Sequence, residues 1–130
     1  MPQATDLTIK NANDVDKTFT LLTPASGYAS LAEWALKEGA TSVVYPTLSL
    51  AAHKTKNRSR KVAVKCRKPA TYTSVATGLP VVASVFEVNV TVSVPDDYPD
   101  DQKDDAVAYA TNALRTTLIM ACMRDGLPAT

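Results

Sequence analysis

Between Gly39 and Phe86 the 130-residue chain carries eight basic side chains (Lys54, Lys56, Arg58, Arg60, Lys61, Lys65, Arg67 and Lys68) and no acidic one. Cations grouped without carboxylates form a local footprint that phosphates can neutralise. The formal net charge of +1 does not argue against a polyanionic partner, because the charges are segregated: from Glu87 to Asp105 the chain has seven acids (Glu87, Asp96, Asp97, Asp100, Asp101, Asp104 and Asp105) against Lys103 alone. Other chemistries have little to work with. His53 is the only histidine, which leaves metal sites and histidine-based catalysis without partners. Two cysteines, Cys66 and Cys122, cannot by themselves build a disulfide framework or a zinc site. The acids after Pro95 lack the spacing of a calcium loop and read as a solvated helix start. There is no nucleophile with a partnered base, no phosphate loop and no pair of catalytic acids. No enzyme activity, cofactor, metal or small-molecule substrate is expected.

The elements that would position the cations follow from hydrophobic periodicity. Leu7 and Ile9, then Phe19 and Leu21, alternate with polar residues around the turn Asn11–Asp14, which predicts a β-hairpin over residues 6–22. Tyr28–Glu38 is ambiguous: Ala29, Leu31, Ala32, Ala35 and Leu36 favour a short helix by propensity, with Gly39 as its cap. Val43–Ala52 reads as a strand, edge or bulged at Pro46. Arg60–Lys68 alternates cleanly, with Val62, Val64 and Cys66 on one side and Lys61, Ala63, Lys65 and Arg67 on the other. Pro69–Pro80, small and uncharged, reads as a long loop or a frayed hairpin tip. Val81–Val94 is the strongest strand signal, with Phe86, Val88, Val90, Val92 and Val94 opposite Glu87, Asn89, Thr91 and Ser93. Helical spacing begins near Pro99 and ends at Gly126, with a bend at Thr116 and Thr117. The chain is thus expected to be a single α+β domain, residues 1–130, with a sheet over 28–94 and helices over 99–126. It has no apolar run of about 18 residues, so no membrane-spanning helix is expected. Its first six residues resemble no secretory signal.

Burial then demands a second chain. One sheet face, carrying Val44, Leu48, Leu50, Val62, Val64, Val88, Val90 and Val92, must be covered. A helical tail of about 25 residues, ~38 Å long, cannot cover it alone. The valine strand would also present an unpaired apolar edge, which monomers avoid. Pairing two chains through Val88, Val90 and Val92, with exchanged helices bringing in Tyr109, Leu114 and Leu118, removes both problems; an obligate homodimer is expected. The opposite face collects Tyr45, Thr47, Ser49, Lys61, Lys65, Arg67, Asn89 and Thr91. These donors, acceptors and cations suit single-stranded or looped RNA. A charge run in isolation reads equally as a solvated strand; the alternation of this one onto a single face favours RNA.

These residues carry a resemblance. Gly27–Leu31 continuing through Ala32, Glu33 and Trp34, then Asn57, Arg58, Lys61, Val62, Val64, Lys65 and Pro69, then Leu79–Val81 and Asn89, occur in the order found in coat proteins of the single-stranded RNA bacteriophages. The chain resembles that levivirus family over essentially its whole length. The resemblance implies an N-terminal hairpin, a five-stranded antiparallel sheet and two C-terminal helices, in an interlocked dimer that builds an icosahedral, T=3-type shell. It also implies that Tyr28–Leu36 is strand, not helix. It implies a virion protein, assembled in the bacterial host cytoplasm, whose sheet binds genomic RNA, including a hairpin that represses translation. Thr47 and Ser49 match the family's adenine-pocket positions and Asn89 an RNA-contacting asparagine. Lys61 stands where a pocket threonine is common, Ala63 where a lysine is common, and Glu87 where a tyrosine stacks on a base. Residues Ala70, Thr71, Tyr72, Thr73, Ser74, Val75, Ala76, Thr77, Gly78 and Leu79 match the loop lining the shell's symmetry axes, here without cysteine. The competing expectation is a non-capsid RNA-binding regulator that stops at the dimer.

Overall fold

A computed structural model describes residues 2–39 and 41–130. Its contacts divide the chain into two compact units, a sheet unit up to Pro95 and a helical unit from Asp96 to Thr130. The sheet unit is a meander of β1 (Leu7–Lys10), β2 (Asp16–Thr23), β3 (Leu31–Ala35), β4 (Thr47–Lys54), β5 (Ser59–Thr73) and β6 (Pro80–Pro95). Each strand pairs antiparallel with the next, so β1 and β6 are the edges. The expected hairpin and five-stranded sheet are therefore one six-stranded sheet. β2 serves both parts: Asp16–Phe19 pairs with β1, and Thr20–Thr23 pairs with β3 across a register shift.

Local chemistry explains the turns. Asn11 Oδ1 accepts from the backbone N–H of Asn13 at 2.9 Å and of Val15 at 3.1 Å, an Asx turn that lets Asp14 adopt a left-handed conformation at φ 58°. At the β4–β5 turn, Thr55 N–H donates to the Ser59 carbonyl at 2.8 Å and Arg58 takes φ 54°.

The structure settles two open readings and corrects one expectation. First, the helix-favouring propensity of Tyr28–Glu38 loses to pairing: Leu31–Ala35 is a strand between β2 and β4, as the family resemblance implied. Second, the strand expected from Val43 starts only at Thr47. Ser42–Val44 is a single 3-10 turn, and Pro46, which cannot donate to a ladder, precedes the strand rather than interrupting it. Third, of the two readings of Pro69–Pro80 the hairpin tip holds, because the segment is mostly paired. β5 continues through Ala70, Thr71, Tyr72 and Thr73, leaving only Ser74–Leu79 as a loop. Pro69 is tolerated because β4 accompanies β5 only as far as Arg67. Beyond that, β5 is an edge, and the side of Pro69 lacking an N–H donor faces no strand.

Few side chains of the sheet unit are buried: Ala32, Trp34, Ala35, Val44 and Pro69. Trp34 anchors them. It is 6% exposed, and its indole N–H donates to the Thr5 carbonyl at 2.8 Å, holding the segment before β1. Val44 explains Gly39: at φ +120°, a Cβ on Gly39 would meet Val44 Cγ2 at 2.5 Å.

The helical unit contains α1 (Asp100–Leu114) and α2 (Thr117–Asp125). Asp100 and Asp101 lie in the first turn of α1, where the helix dipole favours acids. Arg115 and Thr116 break the helix, and Gly126 at φ 67° caps α2. Neither helix has a buried residue; Tyr109, Leu114 and Leu118 are exposed in the single chain. No described helix is long and apolar enough to cross a membrane.

Trp34→Ala removes the largest buried side chain and its hydrogen bond. The expected cost is about 3–5 kcal/mol, measured by chemical denaturation of the full chain. A loss under about 1 kcal/mol, the size of an ordinary surface change, would contradict the anchoring role.

Candidate nucleic-acid interface

Residues opposite each other in an antiparallel ladder project from the same face, so register alone assigns the two surfaces. Leu48 pairs with Cys66 and Cys66 with Val88; Leu50, Val64 and Val90 form the next row, and Ala52, Val62 and Val92 the one after. Trp34 and Ala32 continue the first two rows onto β3. This is the apolar face. Cys66 lies within it, and burial pushes its thiol up from the ordinary value, as expected of a packing residue rather than a reactive one. Cys122, on α2, is likewise a free thiol.

The other face is a grid of polar rows. One runs Ala35, Thr47, Arg67, Glu87; the next Glu33, Ser49, Lys65, Asn89; the third Leu31, Ala51, Ala63, Thr91; and beyond them His53, Lys61, Ser93. Nine of the expected contact residues (Thr47, Ser49, Lys61, Ala63, Lys65, Arg67, Glu87, Asn89 and Thr91) thus share one surface. Tyr45 does not share it by register, because it follows the 3-10 turn and lies outside β4. Nor does the whole basic run. Lys54 pairs with Arg60 and Lys68 with Phe86 in rows of the apolar parity, and Lys54 Nζ sits 4.7 Å from the centre of the Tyr28 ring, a cation–π contact. Lys56 and Arg58 lie in the β4–β5 turn. Lys61, Lys65 and Arg67 remain as the strand cations of the polar face.

Glu33 and His53 are members of this face that sequence reasoning missed. Once Leu31–Ala35 is known to be a strand, the burial of Ala32 and Trp34 places Glu33 on the opposite side; the helical propensity of the segment hid that alternation. A cavity of about 350 Å³ opens among Glu33, Thr47, Ser49, Lys65 and Arg67, with Leu22, Leu31, Trp34 and Leu48 completing its lining. Beside it, Lys65 Nζ and Glu87 Oε1 make an ion pair at 2.6 Å, reaching diagonally across the β5–β6 ladder. Both side chains are about half exposed, so the pair contributes little stability, about 0–1 kcal/mol. Its consequence is local: the carboxylate offsets part of the charge of one cation of the grid without removing it from the face. Among the described residues there is no cluster of three or more His, Cys, Asp or Glu side chains that could hold a metal ion.

The residues expected at subunit contacts are placed as follows. Val88, Val90 and Val92 lie on β6, half-buried or exposed, with the edge of β6 opposite β5 bearing no described strand. In the loop Ser74–Leu79, Ser74 N–H donates to the Leu79 carbonyl at 2.9 Å and Gly78 N–H to the Ser74 carbonyl at 2.7 Å; Val75 points fully into solvent.

An antiparallel meander with a long last strand, followed by two helices, is the architecture of bacteriophage coat proteins. The chain is similar to the virus-like particle of bacteriophage NT-214, with a TM-score of 0.79 and 27% identity, covering 100% of this chain and 98% of that one. It shares its fold with the virus-like particle of Beihai levi-like virus 21 (TM-score 0.85, 11% identity, 99% of each chain). It shares it also with the bacteriophage GA capsid protein (TM-score 0.69, 15% identity, 93% of this chain and 94% of that one). The levivirus coat protein family model matches residues 2–126, and the chain belongs to that family. Among curated protein sequences none matches. The family is one of structural capsid proteins, not enzymes, and the chain is accordingly a component of a virion shell.

Proposed function

We propose that two copies of this chain pair along β6, that these dimers close into an icosahedral shell of T=3 type, and that the polar sheet face grips single-stranded genomic RNA. The observation that carries this reading is the register of β4, β5 and β6. It gathers hydroxyls, an amide and three cations on one surface and valines on the other. A valine face and an unpaired strand edge favour a second copy; a face of donors, acceptors and cations favours RNA. The loop Ser74–Leu79, together with the β5–β6 ribbon that carries it, supplies contacts between dimers. Assembly takes place in the bacterial host cytoplasm, and binding of a genomic hairpin to the same face represses translation.

Electron microscopy of the full chain produced in bacteria tests the assembly. Uniform closed shells whose ultraviolet absorbance reports nucleic acid are expected. Dimers that never close at high concentration would reject the shell and leave a dimeric RNA-binding regulator instead.

The cation assignment is checked by the salt dependence of RNA affinity. Lys61→Ala and Lys65→Ala are each expected to weaken RNA binding and to lower the slope of log affinity against log salt by about one unit. An unchanged slope in both variants would remove these lysines from the interface.

A further inference from the structure

We infer that Thr5 and Asp6 form a strap that fastens the N-terminal hairpin to the sheet by an exchange of hydrogen-bond acceptors. The Asp6 carboxylate takes the place of a backbone carbonyl beside β2, which frees the Thr5 carbonyl for the Trp34 indole. The register of the hairpin sets up the exchange. Lys10 faces Asp16, Ile9 Lys17, Thr8 Thr18 and Leu7 Phe19, so the same register continued by two pairs brings Thr5 opposite Leu21. On its other side Leu21 is paired with Trp34 of β3. The Leu21 N–H turns away from β3 and donates to Asp6 Oδ1 at 2.8 Å. The Thr5 carbonyl, which the continued ladder would turn towards β2, accepts instead from Trp34 Nε1 at 2.8 Å. Trp34 stands in the apolar row with Leu48, Cys66 and Val88, so the chain before β1 leaves the plane of the ladder and crosses onto the apolar side.

The exchange satisfies two donors with one crossing. The first is the Leu21 N–H, at the point where β2 passes from β1 to β3 and its register shifts between Leu21 and Thr23. The second is the indole N–H of a side chain only 6% exposed. A buried indole needs an acceptor, and the side chains paired with it, Leu21 and Leu48, offer none. A carboxylate also makes the stronger bond to a backbone N–H than a neutral carbonyl does. β1 needs this hold. It is an edge strand of four residues with none buried, and the Lys10–Asp16 ion pair at its far end is exposed on both sides and contributes little. Short exposed strands of this kind are the ones that open locally. The strap couples that opening to the packing of Trp34, so the hairpin and the anchor of the buried cluster loosen or hold together.

Amide hydrogen exchange of the full chain tests the strap, read at Leu21 and, as a reference, at Val62 and Val64 of the central strand β5. Asp6→Ala is expected to speed exchange at Leu21 about tenfold, while Val62 and Val64 stay within about twofold. Asp6→Asn keeps an acceptor oxygen and is expected to stay within about threefold of the unmodified chain at Leu21. Trp34→Phe keeps a ring and removes the N–H, which releases the Thr5 carbonyl to accept from Leu21 directly. In that background Asp6→Ala is expected to change Leu21 exchange by less than about twofold, a coupling that a merely structural carboxylate would not show. Four results would each overturn the strap: unchanged exchange at Leu21 in Asp6→Ala, equal acceleration at Val62 and Val64, Asp6→Asn as fast as Asp6→Ala, or additive effects of Asp6→Ala and Trp34→Phe.

Discussion

β6 runs sixteen residues from Pro80 to Pro95, with β5 along one edge and no described strand along the other. Every second backbone N–H and C=O of such a strand projects sideways, and a long, flat, valine-rich edge is an open template for another chain. Monomeric proteins shorten, charge or cover such edges. Here the row of Val88, Val90 and Val92 is neither broken nor charged, and the proline residues stand only at the strand's two ends. The small buried set of the sheet unit points the same way. The sheet unit by itself does not bury what its sequence offers for burial, and open apolar surface of this kind favours the dimer proposed above.

That constraint also orders the functional surface. In the proposed dimer the valine side of the sheet turns towards protein, and register decides what stands on the other side. The alternation of β5 sends Val62, Val64 and Cys66 one way and Lys61, Ala63, Lys65 and Arg67 the other. The pairings with β4 and β6 then add Thr47, Ser49, Asn89 and Thr91 to the cations. A slip of one residue in the β5–β6 ladder would exchange the two surfaces. Packing of the apolar side and composition of the polar side are therefore one property of the same register.

Much of this was legible in the sequence where alternation was long and clean. β6 and the first part of β5 are visible from their valines, α1 and α2 from their spacing and from Gly126, and the polar face from the same alternation. Three features were not. β3 contains Leu31, Ala32 and Ala35, good helix formers whose conformation is set by β2 and β4 on either side; local propensity is a weak prior against two ladders. The far end of β5 read as loop or hairpin tip because its residues are small and uncharged and show no clean alternation, whereas its pairing with β6 continues to Thr73. Glu33 disappeared with the strand that carries it, so the polar face seemed more uniformly basic than it is. Conversely, Lys54, Arg60 and Lys68 counted towards a footprint in a linear reading, although register sends them to the other side of the sheet.

Amide hydrogen exchange along β6 tests the central constraint most directly, because it reports on the free edge itself. In the full chain at assembly-competent concentration, the β6 amides that do not bond to β5 are expected to be as strongly protected as those that do. Fast exchange of that alternating set, beside slow exchange of the amides facing β5, would mean that the edge stays open to water and that no second copy pairs with it.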